Sequence, residues 1–355
     1  MRHKVIVGMS GGVDSAVAAL LLKQAGYEVI GVTLRTWESG DGGESRCCEI
    51  DDARDTARQL GIEYHVFNCL SDFRRHVVSP FVDAYLHGFT PNPCVVCNRF
   101  VKWERMIYFA NILKADFIAT GHYASTVRTD NGRFTLQKAV SAQKDQTYML
   151  WQLTQEQLAR TLMPLGTLTK QEVRRIAENA GLPVASKPDS QEICFVPDGS
   201  YADFVRAAAE GTPPAGNFVD EEGNILGRHK GIIHYTVGQR KGLGIALGVP
   251  TYVMEIRPES DEVVLGNGQS LYKSSIVCKE PNFMAIAGLS PGESLRANVK
   301  IRYHDEGTPG FIRRLDGDSL LIEFERPVRA PAPGQSAVFY DETDRLVGGG
   351  VMQRQ

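Results

Sequence analysis

"GMSGGVDSAV", residues 8–17, follows "HKVIV" at 3–7 and leads into "AALLLKQAG", which ends at Gly26. Residues 4–9 read as a strand, 10–15 as a turn, and the alanine- and leucine-rich run after Ser15 as a helix. A strand, a glycine-rich turn and a helix in that order make an anion-binding loop. Gly11 and Gly12 let backbone N–H groups converge, and the helix amino end adds partial positive charge. Ser10 and Ser15 offer hydroxyl donors, and Asp14 offers a carboxylate to hold Mg2+ against phosphates. The loop lacks the Gly-Lys-Ser/Thr ending that grips a γ-phosphate in most phosphate loops. The plainer reading is a turn that caps a helix, where Ser and Asp are common anyway. The complete string in its strand–turn–helix setting favours phosphate binding.

Working outward, "YEVIGVTL" reads as a second strand, "IDDARDTARQLG" as a second helix ending at Gly61, "IEYHVFN" as a third strand and "DFIATGHYA" as a later one. Strands that alternate with helices predict right-handed crossovers and a parallel sheet covered on both faces. Ligands of such sheets lie beyond the carboxyl ends of the strands, where Met9-Ser10-Gly11, Leu34 and Gly121 fall. "TVRTDNGRFTLQKA" predicts a hairpin turning at Asp130-Asn131-Gly132. "TKQEVRRIAENAG" predicts a helix opened by a Thr169–Glu172 capping box and closed at Gly181. Composition shifts near residue 206, and from about 275 short β-type runs broken by Gly and Pro predict a compact β-barrel. The expected fold class is therefore α/β, with a parallel-sheet domain at 1–205, a small central domain at 206–274 and a C-terminal β-barrel at 275–355.

The chain has 355 residues, 43% of them hydrophobic and 23% charged, with a net charge of −3. Those values exclude a generic polyanion binder, so a nucleic acid would need a local basic surface. No run spans a bilayer and the amino terminus has no signal-peptide pattern, so a cytoplasmic protein without a membrane partner is expected. Seven cysteines in a large chain of this kind point to thiol chemistry or metal binding rather than a disulfide scaffold. "TPNPCVVCNRFVKW", residues 90–103, places Cys94 and Cys97 ahead of a helix expected to start near Asn98, where the helix end, Arg99 and Lys102 favour thiolates. Half a zinc site and a buried structural pair are the alternatives, although no second pair of suitable spacing exists. Cys194 stands alone in the turn-rich "SKPDSQEICFVPDG" and by itself reads as structural. Cys47, Cys48, Cys69 and Cys278 lack comparable surroundings.

"SGGVDS" resembles the signature of the ATP-pyrophosphatase (PP-loop) superfamily, whose members cleave ATP between the α- and β-phosphates. A loop that holds pyrophosphate as a leaving group needs no γ-phosphate lysine. "GMSGGVDS", "TPNPCVVCN", "ATGHYA", "KDQTYML", "DSQEICF", "HYTVGQRKGLGI", "VKIRY" and "APGQSAVFY" occur in the order found in the tRNA-specific 2-thiouridylases, and the resemblance spans nearly the whole chain. It implies an ATP-dependent sulfurtransferase that adenylates C2 of the wobble uridine of tRNA and replaces its oxygen with sulfur.

The resemblance assigns ATP to Gly8, Met9, Ser10, Gly11, Gly12, Val13, Asp14, Ser15, Leu34 and Gly121. It makes Cys97 the nucleophile and Cys194 the persulfide carrier, supplied by a sulfur-relay or cysteine desulfurase protein, with a Cys97–Cys194 disulfide at turnover. Asn92, Pro93 and Cys94 are implied to line the pocket for a flipped-out base. Some family members have Asp where this chain has Cys94. Cys94, Cys97 and Cys194 could then instead ligate a [4Fe–4S] cluster, so persulfide and cluster routes both stay open.

From Asn224 to Met254 there is no acidic residue, while Arg228, Lys230, Arg240 and Lys241 add positive charge. This segment is either a solvated face or a phosphate-tracking surface. The resemblance favours the latter at Arg240 and Lys241, and adds tRNA contacts at His122, Lys144, Asp145, Gln146, Arg302, Tyr303 and Gln335. Two rivals remain. One is a PP-loop enzyme adenylating a small metabolite, which would have no use for the paired thiols. The other is a non-catalytic tRNA- or metal-binding protein, against which the intact Ser10, Asp14 and Ser15 argue.

Overall fold

The computed structural model of the protein describes residues 2–38, 49–188, 193–196, 200–209, 211 and 213–354. Cys47 and Cys48 lie outside the described residues. The first unit contains strands β1 (Lys4–Gly8), β2 (Glu28–Arg35), β3 (Glu63–Asn68) and β4 (Phe117–Ala119), a hairpin of β5 (Ala124–Arg128) and β6 (Phe134–Lys138), and the short β7 (Thr161–Leu162). Five of these form a parallel sheet in the order β3-β2-β1-β4-β7. The hairpin turns at Asp130 and Asn131 and pairs antiparallel outside that sheet.

Helices cover both faces: α1 (Val13–Gln24), α2 (Ile50–Leu60), α3 (Leu70–Phe73), α4 (Ser79–Leu86), α5 (Pro93–Cys97), α6 (Glu104–Ile112), α7 (Gln155–Ala159) and α8 (Lys170–Asn179). The period of two in β1 sorts its side chains between them. Val5 and Val7 pack with Val17, Ala53 and Val173 of α1, α2 and α8. Ile6 joins Trp103, Met106 and Phe109 on the other face.

The expected start of the cysteine helix is corrected. It opens at Pro93, with Asn92 as its N-cap, and not near Asn98. Proline suits the first turn because its missing N–H is not needed there, so both cysteines lie inside the helix. A π-helical stretch, Asn98–Trp103, carries it on into α6, and a second one, Arg74–Val78, joins α3 to α4. The latter packs against α5.

After α9 (Tyr201–Ala208) come β8 (Asn217–Val219), β9 (Ile225–Arg228), β10 (Tyr252–Arg257) and β11 (Glu262–Gly266), forming a four-stranded sheet in the order β10-β11-β8-β9. The chain ends in β12 (Tyr272–Phe283), β13 (Ser294–Lys300), β14 (Thr308–Arg314), β15 (Ser319–Arg329), β16 (Ser336–Tyr340) and β17 (Leu346–Met352). These close into a barrel in the order β12-β15-β14-β13-β16-β17, filled by Ile276, Val299, Ile312, Ile322 and Phe339. Closure leaves no open sheet edge.

The barrel docks on the first unit through buried polar contacts. Trp151 Nε1 donates to Ser336 Oγ at 2.9 Å, and Asn282 Nδ2 donates to the Trp151 carbonyl at 2.7 Å. An indole N–H left unpaired at such a site would cost about 1–3 kcal/mol. Among the described residues no helix is long and apolar enough to cross a membrane.

Candidate nucleotide and thiol site

The loop after β1 is held by hydrogen bonds within the protein. Ser15 Oγ donates to the Gly12 carbonyl at 3.0 Å and accepts from the Ser10 amide at 3.2 Å. Thr33 Oγ1 donates to the Met9 carbonyl at 2.7 Å, and Tyr64 Oη donates to Thr33 Oγ1 at 2.7 Å. Gly11 has φ +79°, and a Cβ there would sit 2.5 Å from the Glu49 carbonyl oxygen. Gly121 approaches the start of α1 so closely that a Cβ would meet the Ser15 nitrogen at 2.7 Å. Gly12 caps α1 without a side-chain bond, which leaves the first-turn amides to a ligand.

A cavity of about 630 Å³ opens over this loop. It is lined by Gly8, Met9, Ser10, Gly12, Val13, Asp14, Ser15, Leu34 and Gly121 of the expected ATP set; Gly11 instead backs onto Glu49. The volume is in the range of a nucleotide-sized site. His122, Lys144, Gln146 and Tyr303, expected to face RNA, line the same cavity. Tyr303 and His304 come from the barrel, between β13 and β14, so the cavity is closed jointly by the first and last units.

Sequence reasoning missed two lysines here. Lys170 is the first residue of α8, held by the capping box in which Thr169 and Glu172 bond each other's backbone. Its Nζ lies 2.7 and 2.8 Å from the two carboxylate oxygens of Asp14, and Tyr123 Oη donates to the same carboxylate at 2.7 Å. Lys187 donates to Glu49, to Asp52 and, at 3.3 Å, to the Gly11 carbonyl. Burial alone would lower the Lys187 pKa, but the bonds to Asp52 and Glu49 outweigh it and hold the ammonium above the usual lysine value. Neither lysine belongs to a motif around the loop; only the capping box fixes the position of Lys170 from sequence.

His122 is half-buried, with Nδ1 2.9 Å from Thr120 Oγ1 and its ring 5.3 Å from that of Trp103. Burial, aided by Lys102, lowers its pKa to about 3, so it is a neutral group in this cavity. Tyr303 is raised above the ordinary tyrosine value by burial first, then by the neighbouring Asp145 carboxylate and Cys94 thiol. Cys94 is thus within electrostatic reach of the cavity wall.

Asp145 requires a correction. Its side chain is buried and accepts from the Ala139 amide at 3.0 Å and from Thr147 Oγ1 at 2.7 Å. Burial raises its pKa against those bonds, and the carboxylate braces a turn rather than facing RNA. Gln335 also points inward, with Nε2 2.9 Å from the Thr90 carbonyl. Arg302 donates to the Arg329 carbonyl at 2.7 Å and is exposed. Arg240 and Lys241 are exposed on the loop between β9 and β10, away from the cavity.

Of the thiols, Cys94 is exposed, Cys97 is buried and Cys194 is intermediate; Cys69 and Cys278 are buried. Cys97 belongs to the main core, and Cys194 packs against that same core. Phe195 anchors the Cys194 segment, with ring centroids 5.4 Å from Phe73, 5.2 Å from Phe81 and 6.0 Å from Trp37. The helix that supplies Phe73 and Phe81 also packs on α5. Asn92 Nδ2 approaches Met149 Sδ at 3.5 Å and Asn98 Nδ2 donates to the Met149 carbonyl at 2.9 Å, which joins α5 to the turn carrying Gln146. Pro93 is buried.

Among the described residues no three His, Cys, Asp or Glu side chains form a group that could hold a metal ion. Cys94, Cys97 and Cys194 form no such group among the described residues.

Family models match the chain end to end. The tRNA methyl transferase HUP domain matches residues 3–198, the tRNA methyl transferase PRC-barrel domain 203–267, and the aminomethyltransferase β-barrel domain 273–352. The chain is 53% identical over 356 residues to the tRNA-specific 2-thiouridylase MnmA of Lachnoclostridium phytofermentans, covering 98% of this chain and 99% of that one. It is 50% identical over 360 residues to the protein of that name from Acetivibrio thermocellus, covering 99% of each. Among solved structures, the U34-tRNA thiolase NcsA from Methanococcus maripaludis with its [4Fe-4S] cluster is 22% identical, with a TM-score of 0.36 over 54% of this chain and 60% of that one. A likeness that slight bears on neither cofactor nor mechanism.

Proposed function

The chain belongs to the tRNA-specific 2-thiouridylase family, and we propose that it uses ATP to adenylate the C2 oxygen of a wobble uridine in tRNA and then installs sulfur there. The observation that carries this reading is the shared cavity: the phosphate loop forms one wall, and His122, Lys144, Gln146 and the barrel's Tyr303, expected to face RNA, form another. Methyl transfer, the activity in the names of two matching family models, calls for neither a phosphate loop nor paired thiols.

The uracil C2 oxygen is a poor leaving group. In the proposed reaction it attacks the α-phosphorus of ATP, pyrophosphate departs, and the oxygen becomes part of AMP. The loop amides and the start of α1 stabilise charge on the departing pyrophosphate. Mg2+, when bound, would screen the phosphates, with Asp14 as its carboxylate ligand. Asn92, Pro93 and Cys94 form the pocket for the flipped base.

A persulfide on Cys194, supplied by a sulfur-relay or cysteine desulfurase protein, attacks C2 and AMP leaves. The Cys97 thiolate then attacks the Cys194 sulfur, which leaves the outer sulfur on C2 and forms a Cys97–Cys194 disulfide. Two electrons from a thiol reductant restore both thiols. Lys144, Gln146, Arg240, Lys241, Arg302 and Tyr303 are the proposed tRNA contacts, with His122 contributing as a neutral imidazole. The site of action is the cytoplasm.

AMP release tests this reading against the small-metabolite rival. With ATP and Mg2+ alone, AMP should form slowly, and unmodified tRNA should accelerate it. AMP formation driven by a small acid and indifferent to tRNA would overturn the proposal.

A further inference from the structure

We propose that Lys170 and Lys187 are the cations that hold the phosphates of ATP in this enzyme, supplying from distant parts of the chain the charge that the loop at 8–15 lacks. The inference rests on the nucleotide reading above and adds the residues that complete the phosphate site. Both lysines line the cavity, and both are tied to the loop itself: Lys170 through Asp14, Lys187 through the Gly11 carbonyl. Their side chains are only 13% and 24% exposed.

Each ammonium now rests on carboxylates, Lys170 on Asp14 and Lys187 on Glu49 and Asp52. A partly buried ammonium without a counter-charge is unfavourable, so these carboxylates hold the lysines in place while the site waits. A triphosphate carries more negative charge than a carboxylate and accepts strong charge-assisted hydrogen bonds, so it competes for both ammonium groups. The open amides of α1 hold its other oxygens. Binding is then an exchange of partners, in which the lysines pass from carboxylate to phosphate.

The exchange gives the carboxylates a sign opposite to that of a merely structural ion pair. Were the pairs only braces, removing either side would loosen the loop and weaken nucleotide binding. If the carboxylates compete with phosphate for Lys187, removing them strengthens binding.

Calorimetric titration of the full chain with ATP and with AMP, in EDTA so that no metal takes part, separates these cases. The wild type should bind ATP more tightly than AMP. Lys170→Ala and Lys187→Ala should each weaken ATP binding about tenfold or more, as loss of a charged hydrogen bond does, with AMP affinity changed less than about twofold. Lys187→Arg should recover most of the loss, and the Glu49→Gln/Asp52→Asn double variant should bind ATP about two- to fivefold tighter. Equal losses for ATP and AMP, or weaker ATP binding by the carboxylate variant, would overturn the inference. Unchanged ATP binding by the lysine variants beside a wild type that binds ATP would overturn it alone. A wild type that binds neither nucleotide would remove the nucleotide reading as well.

Discussion

Gln335 on the barrel donates from Nε2 to the carbonyl oxygen of Thr90 at 2.9 Å, across 245 positions of sequence. The Thr90 amide donates back to the Pro333 carbonyl at 2.8 Å, and the Arg354 guanidinium lies 4.7 Å from the Phe89 ring centroid. The barrel therefore fixes the backbone that runs into Asn92, Pro93 and Cys94. Gln335, which the sequence resemblance assigns to tRNA, thus braces this backbone through its side chain.

Gln335→Ala should lower the thiolation rate about five- to tenfold, the worth of one net hydrogen bond, with little change in tRNA affinity. Steady-state kinetics and filter binding separate the two quantities. A loss confined to tRNA affinity would return Gln335 to the RNA surface.

Cys97→Ser and Cys194→Ser should each abolish 2-thiouridine formation while tRNA binding stays within about twofold of wild type. Cys278, buried in the barrel with its thiol pKa pushed up by burial, is the control. Cys278→Ala should lower the melting temperature and leave thiolation at low temperature intact. Thiolation by either serine variant would remove that thiol from the chemistry.

His122 sets a pH dependence of stability. Its pKa falls from 6.5 to about 3 on folding, so between those values the unfolded chain binds more protons than the folded one. Its contribution is present above the unfolded value and is lost as pH falls towards the folded one. Thermal unfolding from about pH 7 to about pH 5 should therefore be steeper for wild type than for His122→Gln. Identical slopes would mean that His122 titrates in the folded protein.

Lys241→Ala should weaken binding to every tRNA alike and reduce the slope of log K against log salt by about 1. Lys241 is exposed, so the substitution leaves the fold untouched. An unchanged slope would make the basic loop a bystander.

The first unit was legible because its signals are local. "KVIVGMSGGVDS" carries strand, turn and helix within a dozen residues, and Thr169 with Glu172 announces α8. The barrel was legible from the spacing of short β runs broken by Gly and Pro. Errors arose where burial decides. Asp145 sits in the polar string "QKDQ" and looks exposed, yet the Ala139 amide and Thr147 hydroxyl draw it inward. The start of α5 was displaced because Cys94 and Cys97 were placed ahead of a helix starting near Asn98, whereas Asn92 and Pro93 are the cap and first residue of the helix. Lys170 and Lys187 were invisible because what brings them to the loop is tertiary: Lys170 meets Asp14 across 156 positions and Lys187 meets Gly11 across 176.

The central claim is tested most directly by incubating the reduced protein with ATP, Mg2+, a persulfide donor and tRNA transcripts carrying an unmodified wobble uridine, then digesting the tRNA for mass spectrometry. The account predicts 2-thiouridine at the wobble position, one AMP released for each sulfur installed, and no 2-thiouridine when Cys194 is replaced by Ser. AMP accumulating with no thiouridine under any sulfur supply would contradict it.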